Sequence, residues 1–363
     1  MLRVTDSLCR RSGGTSSRSS FGVVVNCAVG RIIISFLLLV GGLFEVTVAS
    51  AHAQLQRPLH VAWSSISSSQ AILWVAQEGG LFKKYGVQVE LVYIPSGPLI
   101  IQSMLAKEID IAQTAGPPVV AADLAGANLA IVAGINNTFV YSFRARPDIR
   151  TPSDLKGRKI GVTRIGSDSH TATVFALRKW GLDPERDATI LQLGGQPEIL
   201  AALNSGRVDA GPLSYPQAGR ARQMGIHELA DIGGLGIPYQ GTGIIMRRDQ
   251  IETRRETLMN FLKGLVDGIY VYLNREEFAM NVIGKYSKIK ERELLSETYK
   301  INAERYLEKI PYPTLPGIQN ILQELARRNP RAKQAHPEQF VDTSLITELE
   351  RSGFIKEVSG ARK

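Results

Sequence analysis

Cysteine is nearly absent from this sequence of 363 residues. The two cysteines, Cys9 and Cys27, both precede the place near Ala53 where we predict a signal peptide to end. A chain cut there has no thiol and needs no disulfide, although an oxidising compartment would permit one. Neither cysteine follows the apolar run of the leader, which argues against a lipid-anchored cysteine.

The first 53 residues have the composition of a secretory signal. Basic residues come first, an apolar run follows at residues 32–40, and Ala51-His52-Ala53 forms a small-x-small cleavage site. The apolar run is short compared with the roughly 20 residues that a membrane-spanning helix needs. A removed signal peptide, residues 1–53, is therefore favoured over a retained membrane anchor, and it predicts a periplasmic or other extracytoplasmic location.

Motifs for common catalytic sites are absent as well. The sequence contains no GxSxG elbow, Walker A loop, GxGxxG turn or HExxH helix. After residue 53 four histidines remain, and of these only His170 falls at a predicted cleft, where a role at the start of a helix is preferred to proton transfer. We therefore predict a binding protein that is not an enzyme, with no catalytic residue, no metal and no cofactor.

Clusters of lysine and arginine interleaved with aromatic residues are also missing, although the formal net charge is +9. Nucleic acid is therefore not expected as a partner. The apolar fraction of 44% and the charged fraction of 21% are typical of a globular protein, and the length allows two domains of ordinary size.

Strands and helices alternate in the first half of the chain. Strands are predicted at residues 59–63, 87–93, 109–112 and 129–133, and helices at residues 70–78, 99–107 and 119–124. This alternation indicates a parallel sheet, and ligands bind beyond the carboxyl ends of such strands. The candidate ligand-binding residues in the loops there are Ser65, Ser67, Ser68, Ser96, Gly97, Ala115 and Gly116.

A second unit with the same order follows. Pro98, Asp110, Pro117 and Gly126 recur 99 residues later as Pro197, Asp209, Pro216 and Gly225. An internal repeat is favoured over two unrelated βα segments, and it places the start of helices from both units at one gap, where backbone N–H groups would bind the ligand. The candidate residues on this side are Arg164, Gly166, Ser167, Asp168, Ser169, Ser214 and Tyr215.

The expected fold is α/β with two lobes, each a mostly parallel sheet flanked by helices, and a helical C-terminal extension. Lobe one comprises residues 57–143, lobe two residues 144–240, and residues 241–363 complete lobe one and form the extension. Tyr239 lies in the second of two hinge crossings and is a further ligand-binding candidate. The extension is expected to brace lobe one, and its arginines at 247, 248, 254 and 255 to form a solvated face.

Two segments carry a family resemblance. Residues 61–67 with 73–87, and residues 154–162 with the turn at residues 166–170, resemble the nitrate/sulfonate/taurine (NitT/TauT) substrate-binding proteins of ABC importers. The resemblance implies a type II periplasmic binding protein fold, and we expect the protein to be a monomer. It also implies delivery of a small-molecule ligand to an inner-membrane ABC permease with its ATPase.

The ligand stays open between a sulfonate, another small anion and a thiamine-precursor-like heterocycle. Asp168 would repel an anion unless Arg164 or a hydrogen-bond network neutralised it, which favours a neutral or cationic heterocycle. Tyr215, Tyr239 or Trp63 could stack on an apolar part of the ligand. The alternatives are an enzyme on the same fold, similar to thiamine-pyrimidine synthase or chorismate dehydratase, and a ligand-free docking partner.

Overall fold

Ten strands build two five-stranded sheets in the structure, a computed structural model that describes residues 57–360. The predicted signal peptide lies outside the described residues. The strands of the two sheets are β1 (Leu59–Trp63), β2 (Val89–Tyr93), β3 (Ile111–Ala115), β4 (Leu129–Gly134), β5 (Ser142–Ala145), β6 (Arg158–Val162), β7 (Ala188–Gln192), β8 (Ala210–Leu213), β9 (His227–Asp231) and β10 (Thr242–Arg247).

Helices cover the sheets and make up almost all of the C-terminal third. Those that connect the strands are α1 (Ala71–Glu78), α2 (Leu81–Lys84), α3 (Gly97–Leu105), α4 (Gly116–Leu124), α5 (Asp168–Lys179), α6 (Gln196–Asn204) and α7 (Gln217–Gln223). Those that follow β10 are α8 (Arg248–Thr253), α9 (Arg255–Asn274), α10 (Glu276–Ser287), α11 (Arg292–Ile301), α12 (Leu315–Leu325), α13 (Ser344–Arg351) and α14 (Phe354–Gly360). Among residues 57–360, no helix is both long enough and apolar enough to cross a membrane.

The two sheets have the same topology. Their strand orders are β2-β1-β3-β10-β4 and β7-β6-β8-β5-β9. In each sheet the fourth strand runs antiparallel to its neighbours and reaches the sheet after the chain has crossed from the other lobe. Strand β5 lies wholly in the second sheet, so the expected boundary after residue 143 is two residues too late: Ser142 and Phe143 already pair with β8 and β9. The predicted class, two lobes with mostly parallel sheets and a helical C-terminal region, is confirmed.

The internal repeat has a physical counterpart in two aspartates. The Asp110 carboxylate accepts the backbone N–H of His60 at 3.0 Å, and the Asp209 carboxylate accepts that of Lys159 at 2.9 Å. His60 and Lys159 are themselves separated by 99 residues, and each is the second residue of its strand, β1 or β6. Asp110 directly precedes β3 and Asp209 directly precedes β8, so the two aspartates fix the register between β1 and β3 and between β6 and β8.

The C-terminal helices back lobe one, as expected. Helix α9 packs on α1 and α2, and the ring of Phe261 stacks on Phe82 with centroids 4.9 Å apart. The arginine run of this region was wrongly expected to form a solvated face. Arg254 donates to Asp110, and Arg247 donates to the carbonyl groups of Met104 and Ile109, so these side chains join the helical region to the sheet.

The same C-terminal region also contacts both crossings between the lobes. Asn136, in the first crossing, donates its side-chain amide to the Tyr306 carbonyl at 2.9 Å. At the second crossing, the Gln240 side chain accepts the N–H of Thr314 at 2.8 Å. A Cβ at Gly317 would lie 2.4 Å from the Gln240 nitrogen, so α12 needs glycine to approach this crossing. The extension therefore contacts the segments about which the lobes would rotate, besides bracing lobe one.

Candidate ligand-binding cleft

A polar cavity lies between the lobes, where the carboxyl ends of the parallel strands face each other. Its empty volume is about 360 Å³. Lobe one supplies Ser64, Ser65, Ser67, Ser69, Gln70, Ser96, Gly97 and Thr114. The crossing and lobe two supply Tyr141, Thr163, Ser167 and Asp168. This position agrees with the rule that ligands of such sheets bind beyond the carboxyl ends of the strands.

The loop after β1 presents its serines to the cavity through a short helical turn. Ser67 caps this turn, because its hydroxyl oxygen accepts the N–H of Ser69 at 3.3 Å. Gln113 on the neighbouring strand donates to the Ser69 carbonyl at 2.9 Å and holds the loop in place. The turn ends at Gln70, a buried residue whose Oε1 has no hydrogen-bond partner within residues 57–360.

The loop after β2 adds a second unpartnered polar atom. Ser96 has the left-handed φ of 81° and is tied to the first loop by a hydrogen bond from its N–H to the Ser64 carbonyl at 2.9 Å. Its buried hydroxyl has no hydrogen-bond partner in the part of the chain that the structure describes. Next to it, a Cβ at Gly97 would lie 2.5 Å from Thr114 Oγ1, so glycine is required for this close approach. Buried polar groups without partners are rare in folded proteins, and here they face a cavity in which a ligand can satisfy them.

The turn after β6 is organised by three hydroxyl groups. The oxygens of Thr163, Ser167 and Ser169 lie 2.9–3.1 Å from one another. Ser167 caps α5, and Gly166 before it has a φ of 80°, which favours glycine. Thr163 and Ser167 face the cavity, whereas Ser169 is buried beneath them as a hydrogen-bond partner.

Asp168 is the first residue of α5, and its carboxylate accepts a hydrogen bond from each crossing between the lobes. The hydroxyl of Tyr141 donates at 2.9 Å and that of Tyr239 at 2.5 Å. Burial raises the pKa of Asp168, and the two tyrosine hydrogen bonds oppose that rise. In residues 57–360 no lysine, arginine or histidine forms an ion pair with Asp168, so Arg164 does not neutralise it as the sequence had suggested.

The start of α4 does not offer the N–H donors that the sequence analysis expected from Ala115 and Gly116. The Gly116 N–H donates to the Gln240 carbonyl at 3.1 Å, and the following Pro117 and Pro118 have no N–H. Ala115 ends β3 and is outside the cavity lining. This expectation was wrong because tertiary packing and proline remove the donors of the first turn.

Other predicted residues contribute to the contact between the lobes or to its support. The Ser68 N–H donates to the Tyr215 carbonyl at 2.9 Å and so joins lobe one to lobe two directly. Ser214 is buried, and its N–H donates to Gln196. Stacking of Tyr239 on a ligand is not possible in this arrangement, because its ring is fully buried against Phe139 with centroids 3.7 Å apart.

Trp63, Arg164 and Gly166 also lie outside the polar lining. Trp63 packs against Trp74, with ring centroids 5.0 Å apart, and Gly166 faces a second cavity. Six lining residues are not among the candidate residues named from sequence: Ser64, Ser69, Gln70, Thr114, Tyr141 and Thr163. Of these, Ser64, Ser69 and Thr114 lie in segments that the strand-end rule selects. Thr163 directly follows β6, so the strand-end rule could have found it, whereas no sequence pattern distinguishes Gln70 or Tyr141.

The second cavity is mostly apolar and lies between α4, α5 and α12, with an empty volume of about 810 Å³. His170 lines it and accepts the Gly166 N–H on Nδ1 at 3.3 Å. Burial, with a smaller contribution from Arg328, lowers the pKa of His170 to about 4. His170 is therefore neutral at pH 7 and lies outside the polar lining.

Comparisons with known proteins agree with this architecture. Over 238 residues the chain is 26% identical to YtlA of Bacillus subtilis, whose name calls it a binding protein; the match covers 62% of this chain and 70% of YtlA. Over 204 residues it is 31% identical to an Escherichia coli protein named for binding aliphatic sulfonates, with 54% of this chain and 62% of that protein covered. The chain thus spans less than two thirds of the Escherichia coli relative.

A solved structure shows the same fold. The periplasmic aliphatic sulphonate binding protein SsuA from Escherichia coli superimposes with a TM-score of 0.64 at 21% identity, over 80% of this chain and 99% of SsuA. The expected periplasmic binding protein fold is thereby confirmed. The model of the NMT1/THI5-like family matches residues 67–278, more than half of the sequence. The chain therefore belongs to the NMT1/THI5-like family.

Proposed function

We propose that this protein is an extracytoplasmic solute-binding protein of an ABC importer. Its two lobes close on a small organic molecule in the polar cavity and deliver it to an inner-membrane permease driven by an ATPase. The observation that carries this proposal is the cavity itself. Both lobes line it, and it contains the unpartnered buried Oγ of Ser96 and Oε1 of Gln70. A ligand of matching shape can complete their hydrogen bonds.

Closure of the lobes would convert ligand binding into a change of shape that the permease can recognise. Two crossings join the lobes, and the hydrogen bond from Ser68 to Tyr215 joins them again on the ligand side. A permease can distinguish the closed form from an open one, in which this hydrogen bond is broken, because rotation about two crossings moves one lobe relative to the other. Family membership supports the proposal, since the related proteins above are named for binding.

The remaining parts of the proposal concern the organisation of the chain. Residues 1–53 direct export to the periplasm and are removed. Residues 57–141 begin lobe one, residues 142–240, which include all of β5, form lobe two, and residues 241–363 complete lobe one and extend it. The protein acts as a monomer. The ligand class is a sulfonate, another small anion or a thiamine-precursor-like heterocycle; the sulfonate option has the support of the name of the Escherichia coli relative.

The test is direct identification of a ligand. Protein purified without denaturation is analysed by native mass spectrometry, and the bound compound is titrated calorimetrically into ligand-free protein. We expect one small molecule per chain, recovered unchanged after incubation. Recovery of a converted product would favour an enzyme, and the lack of any bound or titratable compound would contradict the binding function.

A variant pair connects this binding to the cavity. Ser96→Gly removes the unpartnered hydroxyl and keeps a residue that tolerates the φ of 81°. We expect a loss of affinity of about threefold to tenfold, the usual range for one hydrogen bond. Asn128→Gly is the matched control, because it removes a side chain at a φ of 55° outside the cavity lining. If Ser96→Gly and Asn128→Gly bound the ligand with equal affinity, the assignment of the site to this cavity would be contradicted.

A further inference from the structure

We infer that the ligand carries a protonated nitrogen with at least two N–H groups, such as a primary ammonium or an amidinium, and that this group binds against Asp168. The inference rests on the proposed binding function and narrows its ligand class. It also differs from what the sulfonate relatives suggest.

The charge of the cavity is the first argument. Of the residues that line it, Asp168 alone has an ionisable carboxylate or basic group; the others are serine, threonine, glutamine, glycine and tyrosine. No arginine, lysine or histidine belongs to the lining. An anion in this space would face a carboxylate with no basic group beside it, whereas a cation would complement that carboxylate.

The shortage of backbone donors is the second argument. Anion sites at helix starts depend on free N–H groups in the first turn. The first turn of α4 has none to offer, since the Gly116 N–H is used and two prolines follow. Helix α3 has Pro98 and α6 has Pro197 within the first two positions. At α5 the first position is occupied by Asp168 itself.

The surplus of acceptors is the third argument. Gln70 Oε1 is a buried acceptor without a partner, and Ser96 Oγ is a second buried oxygen without one. Each oxygen of the Asp168 carboxylate accepts one tyrosine hydroxyl, which leaves further lone pairs. A group with several N–H donors suits this arrangement, because it can serve the carboxylate and a neutral acceptor together.

Asp168 also connects the ligand to the crossings. Its tyrosine partners come one from each crossing, so the carboxylate joins the start of α5 to both segments about which the lobes rotate. A cation against Asp168 stabilises the ionised carboxylate, which is the form that accepts both hydroxyl groups. Binding of the cation therefore favours the arrangement in which the crossings and α5 are joined.

The first experiment compares probes of similar size by calorimetry: propylammonium, acetamidinium, tetramethylammonium, propane-1-sulfonate and nitrate. We expect propylammonium and acetamidinium to bind, and tetramethylammonium, a cation without N–H groups, to bind at least tenfold more weakly. Stronger binding of propane-1-sulfonate or nitrate would overturn the inference and leave the binding function intact. Absence of binding by every probe, together with no co-purified compound, would count against the binding function itself.

The second experiment uses Asp168→Asn, which keeps the shape and one acceptor oxygen for the tyrosines. We expect propylammonium affinity to fall at least tenfold, with propane-1-sulfonate affinity unchanged or increased. Asp148→Asn is the control: it removes the same charge from lobe two, at a residue that pairs with Arg146 and Arg158 outside the cavity. Unchanged propylammonium affinity in Asp168→Asn would overturn the inference, and so would an equal loss for every probe. If this variant does not fold, the order of probe affinities measured with the unaltered protein decides whether the inference stands.

Discussion

The loops that follow β1 and β6 occupy equivalent places in the two sheets, but the residues that they present to the cavity differ in charge. In lobe one the loop after β1 consists largely of serine and ends at the neutral Gln70. In lobe two the loop after β6 continues into α5, whose first residue is Asp168. The strand order around the two loops is the same. The repeat therefore accounts for the scaffold, and the difference between the loops accounts for the chemistry of the cavity.

The lobes also differ in what stabilises them. Lobe one has long helices behind its sheet and a large cluster of buried apolar side chains. Lobe two has a smaller cluster of its own around Ile199 and Leu203, and its first strand packs into a core shared with lobe one through the crossings. We expect lobe two to depend on lobe one for its stability more than the reverse.

Removal of a large side chain behind sheet one tests this dependence with the largest expected effect. Phe261→Ala should lower the free energy of unfolding by about 3–5 kcal/mol, because it leaves a cavity beside Phe82. Denaturant unfolding would be followed by circular dichroism and by the fluorescence of Trp180 in lobe two, both measured in a background in which the lobe-one tryptophans Trp63 and Trp74 are replaced by phenylalanine. Both signals should shift together. A shift in circular dichroism without a shift at Trp180 would show that lobe two is independent.

Replacement of the two repeated aspartates should give the next largest losses in the free energy of unfolding. Asp110→Ala should cost about 3 kcal/mol, because the carboxylate is buried and its loss leaves Arg254 and the His60 N–H without their acceptor. Asp209→Ala should cost about 1 kcal/mol: its arginines lie 3.9 Å away, and its main contact is the Lys159 N–H. Equal losses in denaturant unfolding would contradict the view that only lobe one uses its aspartate as a buried ionic centre.

Lowering the pH should reduce the free energy of unfolding through His170, a residue of lobe two. The pKa of His170 is lowered to about 4 in the folded state from 6.5. Between those values the unfolded chain binds a proton that the folded chain does not, so the free energy of unfolding falls as the pH drops from 6.5 to 4. His170→Asn should remove roughly 2–3 kcal/mol of this fall. His227→Asn, on β9, is the control; the same pH profile for His170→Asn as for the unaltered protein would refute the assignment.

Ion pairs between lobe two and the C-terminal helices should have the smallest effect. Arg178 on α5 donates to Glu324 on α12, with Nη2 3.1 Å from Oε1. Both side chains are partly exposed, and such pairs contribute about 0.2–1 kcal/mol. Arg178→Ala should therefore lower thermal stability only slightly, and less so in high salt. A loss as large as that of Asp110→Ala would mean that this ion pair, more than the buried core, joins the lobes.

Much of the fold was predictable from local patterns. The period of apolar residues located most strands within about two residues. The recurrence of Asp110 as Asp209 indicated the repeat, because each carboxylate accepts a backbone N–H of a neighbouring strand in its own lobe. Two candidate residues, Ser169 and Tyr239, form side-chain hydrogen bonds to the lining. Six more lie in the lining itself: Ser65, Ser67, Ser96, Gly97, Ser167 and Asp168.

The errors came from contacts between distant segments. The sequence shows Gly116 at a helix start, but not that the Gln240 carbonyl, far along the chain, occupies its N–H. It shows four arginines at and after the end of β10. It does not show that Arg247 donates to the Ile109 carbonyl or that Arg254 donates to the Asp110 carboxylate. Tyr239 was expected to stack on a ligand, yet its hydroxyl donates to Asp168 and its ring is buried against Phe139.

The sequence by itself determined the α/β class, the repeat and the places where the chain turns at the carboxyl ends of strands. These follow from side-chain periodicity and from turn residues, which act within a few positions along the chain. Only the tertiary structure decided the character of the cavity. The partners of Asp168, the occupied N–H at α4 and the unpartnered oxygens of Gln70 and Ser96 all depend on segments that meet in space, and hydrogen bonding is decided by that proximity.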